Sequence, residues 1–209
     1  DACKGAGIDI PDELLSTLYR FRFAESRPVG WAFVHAMLRE SVERTSRDAE
    51  RWPRWNAACA AMLGRRTGRG LAERIGRHLV AAEDLAAAAP PLLQGALERA
   101  DHSAYRAARE VLDLLDETLD RMGTAAEAPA RSESALARVR AHIGEGDFPA
   151  ADALAARTAE SARRAREKGT LARALRQRGM IAVKRGDLAV AEAIRPNSKN
   201  DIPHASSRP

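Results

Sequence analysis

A nine-residue pattern occurs twice in this chain. Gly146-Asp147-Phe148-Pro149-Ala150-Ala151-Asp152-Ala153-Leu154 returns forty positions later as Gly186-Asp187-Leu188-Ala189-Val190-Ala191-Glu192-Ala193-Ile194. Each copy sets a glycine and an aspartate before a large apolar residue, then an alanine three further on, then another apolar residue. Glycine reaches the left-handed backbone conformation that closes a helix, and aspartate caps the next helix by accepting a backbone hydrogen bond. Each copy therefore reads as a joint between two helices. A period of forty falls among helical-hairpin solenoids, in which one hairpin cannot bury its apolar face alone and stacks on its neighbour. Stacking of that kind serves to display a surface.

Composition narrows the choice further. At 209 residues the chain is long enough for one or two units with real cores. Charged residues make up 30% and no apolar run approaches eighteen residues, which predicts a soluble protein and no membrane span. Aromatic residues are only 4%, so the core has to come from Ala, Leu, Ile and Val, with helices closely packed through alanine. The net charge of +5 rests on arginine, since Lys4, Lys168, Lys184 and Lys199 are the only lysines. Cys3 and Cys59 cannot form a disulfide framework and no CxxC pair is present, so a reducing cytoplasm is expected. The chain starts at Asp1 with no signal-like segment and reads as a piece of a longer polypeptide.

Taken in order, Ile8 to Tyr19 predicts a short helix that opens on Ile10-Pro11-Asp12-Glu13 and carries Leu14, Leu15 and Leu18. Arg20-Phe21-Arg22-Phe23 and Trp31-Ala32-Phe33 alternate with period two around a turn at Arg27-Pro28-Val29-Gly30. This predicts a β-hairpin near 20–33 with Phe21, Phe23, Trp31 and Phe33 on its buried side, and residues 1–45 as a winged-helix-like segment. Helical spacing then takes over with Val34, Met37, Leu38 and Val42. Ser46 is the expected cap of the next helix, which carries Trp52, Trp55, Cys59 and Met62, holds Pro53 in its first turn or at a kink, and ends near Gly64. Gly64 to Gly70 is a basic loop. Leu71, Ile75, Leu79 and Ala82 form another stripe, and weaker versions of the joint stand at Glu83-Asp84-Leu85 and at Asp101 to Tyr105. Residues 46–122 are thus a helical, repeat-like bundle and 123–131 a linker or loose turn. Helices over Ser132–Ile143, Phe148–Lys168 and Thr170–Arg185 belong to a repeat region at 132–194, and an irregular tail covers 195–209.

The second copy resembles the tetratricopeptide repeat. Gly179, seven residues before the turn, and Ala191, five after Gly186, match the close-contact positions of that repeat. The resemblance implies packing roles for Gly146, Phe148, Ala151, Gly179, Gly186, Leu188 and Ala191. The first copy carries Val139 where Gly179 stands. Upstream, Trp31-Ala32-Phe33-Val34-His35-Ala36-Met37-Leu38-Arg39-Glu40 and Leu71 to Asp84 resemble segments that follow the nucleotide-binding module in large bacterial signalling ATPases of the STAND class. This implies an interdomain contact at His35, Arg39 and Glu40. It also implies a parent protein such as a LuxR-type regulator, a nucleotide cyclase or a serine/threonine kinase fusion.

The residues of reaction chemistry are missing from the sequence. There is no GxxxxGK[ST] loop, no kinase signature and no HExxH or metal-spaced Cys/His pair, so no catalytic residue, cofactor or metal is assigned. His78 lies on an apolar stripe and reads as a hydrogen-bonded, partly buried histidine rather than a ligand. The run Arg157, Arg163, Arg164, Arg166, Lys168, Arg173, Arg176 and Arg178 is interrupted by Glu160 and Glu167 and lacks aromatic stacking groups, so it reads as a solvated face.

The expected fold is mainly α: a right-handed, tetratricopeptide-like α-hairpin solenoid preceded by a short β-hairpin. The expected function is a non-catalytic interaction or sensor module of a multidomain bacterial signalling protein. Its partners are other proteins or neighbouring domains; nucleic acid and membrane are not expected, and the sequence leaves the oligomeric state open. The alternatives are a fragment of a kinase or transcriptional regulator whose output domain lies elsewhere, and a DNA-binding regulator.

Overall fold

A computed structural model describes residues 13–27, 30–125 and 128–194. Outside them lie Cys3, the expected helix opening at Ile8 to Asp12, Pro28-Val29 of the hairpin turn, residues 126–127 of the expected linker, and the tail over 195–209 with His204. The described residues are mainly helical, with one two-stranded antiparallel sheet. The chain divides into two compact units, residues 1–91 and 92–209.

In the first unit, α1 (Glu13–Arg20) has an acidic residue in its first turn and a basic one in its last, each opposing the partial charge of that helix end. Strand β1 (Ala24–Arg27) pairs antiparallel with β2 (Gly30–Phe33), placing Ala24 opposite Phe33 and Arg27 opposite Gly30. The hairpin is present, but its first strand begins beyond the alternating Arg20-Phe21-Arg22-Phe23. Arg22 has a left-handed backbone (φ 56°), and the Phe23 N–H donates to the Leu18 carbonyl, so residues 21–23 turn the chain out of α1. The expected buried aromatic face is not formed. Phe21 and Phe23 stack on each other and Trp31 meets Phe33 edge-on, yet Phe21, Phe23 and Trp31 remain exposed, and the buried hairpin residue is Ala24.

Four helices follow: α2 (Ala36–Asp48), α3 (Trp52–Gly64), α4 (Leu71–Ala81) and α5 (Leu85–Asp101). Ser46 lies inside α2 and is buried there, so it does not cap α3. The stripe expected on α2 stays largely outside, with Met37 79% exposed. Pro53 sits in the first turn of α3, where its missing N–H leaves no bond unmade. Full burial on α3 follows Asn56, Ala60 and Leu63, one position round from the expected Trp52, Trp55, Cys59 and Met62, which are half-buried. The two indoles lie at the edge of that face under cations, Arg47 over Trp52 and Arg51 over Trp55.

The second unit holds the rest of α5 together with α6 (Tyr105–Arg121), α7 (Pro129–Glu145), α8 (Phe148–Arg164), α9 (Lys168–Lys184) and α10 (Leu188–Ile194). Helices α5 through α9 each have 17 residues. A left-handed residue follows each helix from α4 to α9: Glu83, Ser103, Gly123, Gly146, Arg166 and Gly186. The residue after it returns its N–H to the carbonyl five positions back, as in Asp84 to Leu79, Ala104 to Arg99, Thr124 to Leu119, Asp147 to His142, Glu167 to Ala162 and Asp187 to Ala182. This satisfies a carbonyl that the helix end would leave unpaired. Consecutive joints are twenty residues apart, except for twenty-three between Gly123 and Gly146. The sequence duplication of forty is therefore two shorter steps, each a helix and a joint. The boundary expected between Lys168 and Thr170 moves: α8 ends at Arg164, Arg166 makes the turn, and Gly169 lies inside α9. Residues 129–131, expected in a linker, open α7, where Arg131 binds Asp120 and the carbonyls of Asp116 and Thr124.

Helix α7 packs on α6 and α8, α9 packs on α8 and α10, and α7 also meets α9. The core draws Val111, Leu112, Leu115 and Leu119 from α6, Leu136 and Val139 from α7, and Ile181 from α9. Helix α8 contributes Ala151, Ala155, Ala159 and Ala162. Interaxial distance depends on the side chains between two helices, so an alanine face brings α8 close to both of its neighbours. A core with almost no aromatic residues is closed in this way.

Candidate interaction surface

The residues assigned to packing do not all pack. Gly146 and Gly186 hold left-handed turns with φ of 80° and 78°. Asp147 caps α8 by accepting from the Ala150 N–H at 3.2 Å. Ala151 is fully buried in a cluster with Val139, Ala155 and Ile181, and Phe148 lies against that cluster. In the second copy, by contrast, Leu188 is 68% exposed and Ala191 only half-buried. Gly179 is not a close-contact position: a Cβ added there would meet nothing within 4 Å. The close approach is at Gly144 in α7, where an added Cβ would overlap the ring of Tyr105 on α6. The sequence held no marker for it, because the contact joins residues on different helices.

Arginines of the second unit tie helices together. Arg138 on α7 reaches Asp113 at 2.7 Å and Asp116 at 2.8 Å on α6, and Ser134 donates to the same Asp116 at 2.6 Å. Burial is the largest single influence on the Arg138 guanidinium and favours its neutral form. The bonds to Asp113 and Asp116 together outweigh that and leave its pKa raised. Arg173 on α9 grips Glu133 on α7 with both terminal nitrogens, one at 2.9 Å, and this bond chiefly raises its pKa against partial burial. Arg178 on α9 donates to Asp152 on α8 at 2.8 Å.

Helices α5, α7 and α9 line a groove of about 190 Å³. Its apolar part comes from Leu93, Leu97, Leu136 and Ala137, and Glu133, Arg140, Arg173, Arg176 and Gln177 surround it. Leu93, Glu133 and Arg173 stand forty residues apart in the chain, as do Leu97, Ala137 and Gln177. Equivalent positions of successive helices thus share one wall. The Gln177 Nε2 donates to the Leu136 carbonyl at 3.1 Å, and Arg140 pairs with Asp101.

Of the basic run, Arg163 pairs with Glu160, Arg173 with Glu133 and Arg178 with Asp152. Arg157, Arg164, Arg166, Lys168 and Arg176 are exposed and have no ion-pair partner among the described residues. In the first unit, His35, Arg39 and Glu40 are exposed at the start of α2, with Arg39 3.6 Å from Glu43. The Asn56 Nδ2 donates to the Trp52 carbonyl at 2.8 Å, which leaves Oδ1 to face His78 Nδ1, also at 2.8 Å; that ring nitrogen therefore carries the proton. Burial first, then Arg74, lowers the His78 pKa and favours the neutral ring. Among the described residues no group of three or more His, Cys, Asp or Glu side chains is placed to hold a metal ion, and no helix is long and apolar enough to cross a membrane. No family model, curated protein or solved structure matches the chain.

Proposed function

We infer that this chain is a non-catalytic protein-interaction module, a right-handed, tetratricopeptide-like array of helical hairpins that presents the groove between α5, α7 and α9 to an extended segment of another protein or domain. The observation that carries this reading is the bond between Glu133 and Arg173, together with Gln177 on the Leu136 carbonyl. Glu133 and Arg173, forty apart and holding the same place in successive hairpins, touch side by side, as a stacked array requires, and Gln177 reaches the residue before its own counterpart, Ala137. The even twenty-residue step between joints supports the same reading. The resemblance of Trp31–Glu40 and Leu71–Asp84 to signalling ATPases of the STAND class supports a role for the module in a cytoplasmic, multidomain bacterial signalling protein, with His35, Arg39 and Glu40 turned to a neighbouring domain. Replacing Leu97→Glu and Arg140→Glu reverses the character of the groove at positions outside the buried core. The expected result is an unchanged helical spectrum and loss of the partner in co-purification; undiminished recovery refutes the reading.

A second reading, binding to nucleic acid, draws on the cations Arg157, Arg164, Arg166, Lys168 and Arg176, which have no ion-pair partner among the described residues. Phosphate contacts of that kind make affinity fall steeply with salt. A salt titration of duplex and single-stranded DNA binding separates the two readings, and absence of binding at low salt removes this one.

A further inference from the structure

The two copies of the joint carry the same five positions, but only one set is closed. In the first copy Val139, Ile143, Phe148, Ala151 and Leu154 gather on α7 and α8, and α9 covers them by inserting Ile181. Forty residues on, the same places on α9 and α10 hold Gly179, Val183, Leu188, Ala191 and Ile194. Here Val183 is 55% and Leu188 68% exposed. Gly179, Ala191 and Ile194, with Ala172 and Leu175, line an open depression of about 430 Å³. Leu175 and Ile194 border the depression, Val183 and Leu188 stand exposed on the same two helices, and among the described residues nothing stands where Ile181 stands in the first copy.

We propose that this second half-core is the docking site for an amphipathic helix of a partner protein that presents a copy of the buried face of α9. The continuity of the interface fixes what that helix looks like. Helix α9 covers the first half-core and the adjoining Leu136 and Ala159 with Leu171, Ala174, Leu175 and Ile181. The partner helix therefore carries apolar residues at i, i+3, i+4 and i+10, and the last of them fills the space beside Gly179. Its charges follow from the same register. Asp152, which holds Arg178, corresponds to Glu192, so the partner keeps a basic residue three positions before its last apolar one. Glu133, which holds Arg173, corresponds to Arg173 itself, so the partner carries an acid at i+2, where α9 carries a base. The stretch 195–209 has Ile202 as its one large apolar residue, between Pro196 and Pro203, and cannot supply this face. The proposal rests on the hairpin register alone, so it stands or falls separately from whatever occupies the groove.

The test uses the full chain and a labelled peptide of residues 168–184 bearing Arg173→Glu, followed by fluorescence anisotropy. The expected result is saturable binding with a dissociation constant of about 10–100 µM, several-fold tighter than that of the unaltered peptide. Glu192 is exposed, so Glu192→Arg leaves the fold intact. It is expected to weaken binding about tenfold, and adding Arg178→Glu to the peptide is expected to restore it. Leu97→Glu with Arg140→Glu in the groove is expected to leave the peptide affinity unchanged. Absence of saturable binding at about 1 mM peptide, or an affinity indifferent to Glu192→Arg, overturns the proposal. So does a dimer of the chain in sedimentation that dissolves on Glu192→Arg, since the face would then belong to a second copy.

Discussion

Each joint from Glu83 to Gly186 needs one residue in the left-handed conformation, and Glu83, Ser103 and Arg166 fill that place without being glycine. An L-residue is strained there by its Cβ, whereas glycine is not. Arg166 is exposed and has no ion-pair partner among the described residues, so nothing offsets the strain. Arg166→Gly is therefore expected to raise stability by about 0.5–1 kcal/mol, and Gly146→Ala to lower it by about 1 kcal/mol, both read as urea midpoints. The same chemistry explains which joints the sequence disclosed. Gly146 and Gly186 were legible because glycine marks the turn, whereas Arg166 looks like any helical residue and only the helix lengths expose it. A second residue-scale consequence concerns His78, whose pKa is held below its ordinary 6.5 by burial and then by Arg74. As pH falls, the unfolded chain takes up that proton first. The contribution of His78 is therefore intact above pH about 6.5 and is lost as pH drops through the lower folded value. Denaturant midpoints of the native protein and His78→Gln are expected to converge as pH falls through that window, because the variant has no proton to take up; parallel pH profiles exclude the effect.

At the scale of elements, α6 and α7 share the longest loop of the series and are held by a polar clasp. Arg138 spans Asp113 and Asp116, and Ser134 binds Asp116 from the next turn of α7. Arg138 is mostly shielded while Asp113 is largely exposed, so the clasp is weaker than a buried network and stronger than a surface pair. Arg138→Ala is expected to cost about 1–2 kcal/mol, and Asp113→Ala less than half of that, in a thermal or urea series. Equal losses would show instead that Asp113 carries the clasp and that the bond to Asp116 contributes nothing. Apolar spacing located helices where leucine, isoleucine and valine carried the stripe, as on α4 and α9. Spacing failed where small residues carried the burial. On α3 the eye follows the tryptophans, yet Ala60 and Leu63 lie deepest, and Asn56 joins them because its amide is satisfied by Trp52 and His78. The groove was not legible at all, since Leu93, Leu136 and Arg173 meet only when helices forty residues apart lie side by side.

At the scale of the molecule, burial is distributed unevenly along the chain. Helices α6 and α7 each bury six residues, whereas α1 buries none and α2 only Ser46. Local opening costs little where few apolar groups leave water, and it approaches the global value where a helix is enclosed by its neighbours. Helix α7 meets α6, α8 and α9, so opening it breaks three interfaces at once. Within α5, Pro90 and Pro91 have no N–H, which leaves the carbonyls of Ala86 and Ala87 without their helical donors, and the division between the two units falls directly after Pro91. Amide exchange of the full chain is thus expected to rank α6 and α7 slowest, the part of α5 after Pro91 next, and α1, β1, β2 and α2 fastest. The gap between α7 and α2 is expected to be about a hundredfold or more, since each tenfold corresponds to only about 1.4 kcal/mol of opening free energy. Protection of α2 equal to that of α7 would mean that something covers the exposed Met37 and Val42 in solution, which would make that face of the first unit an interface as well.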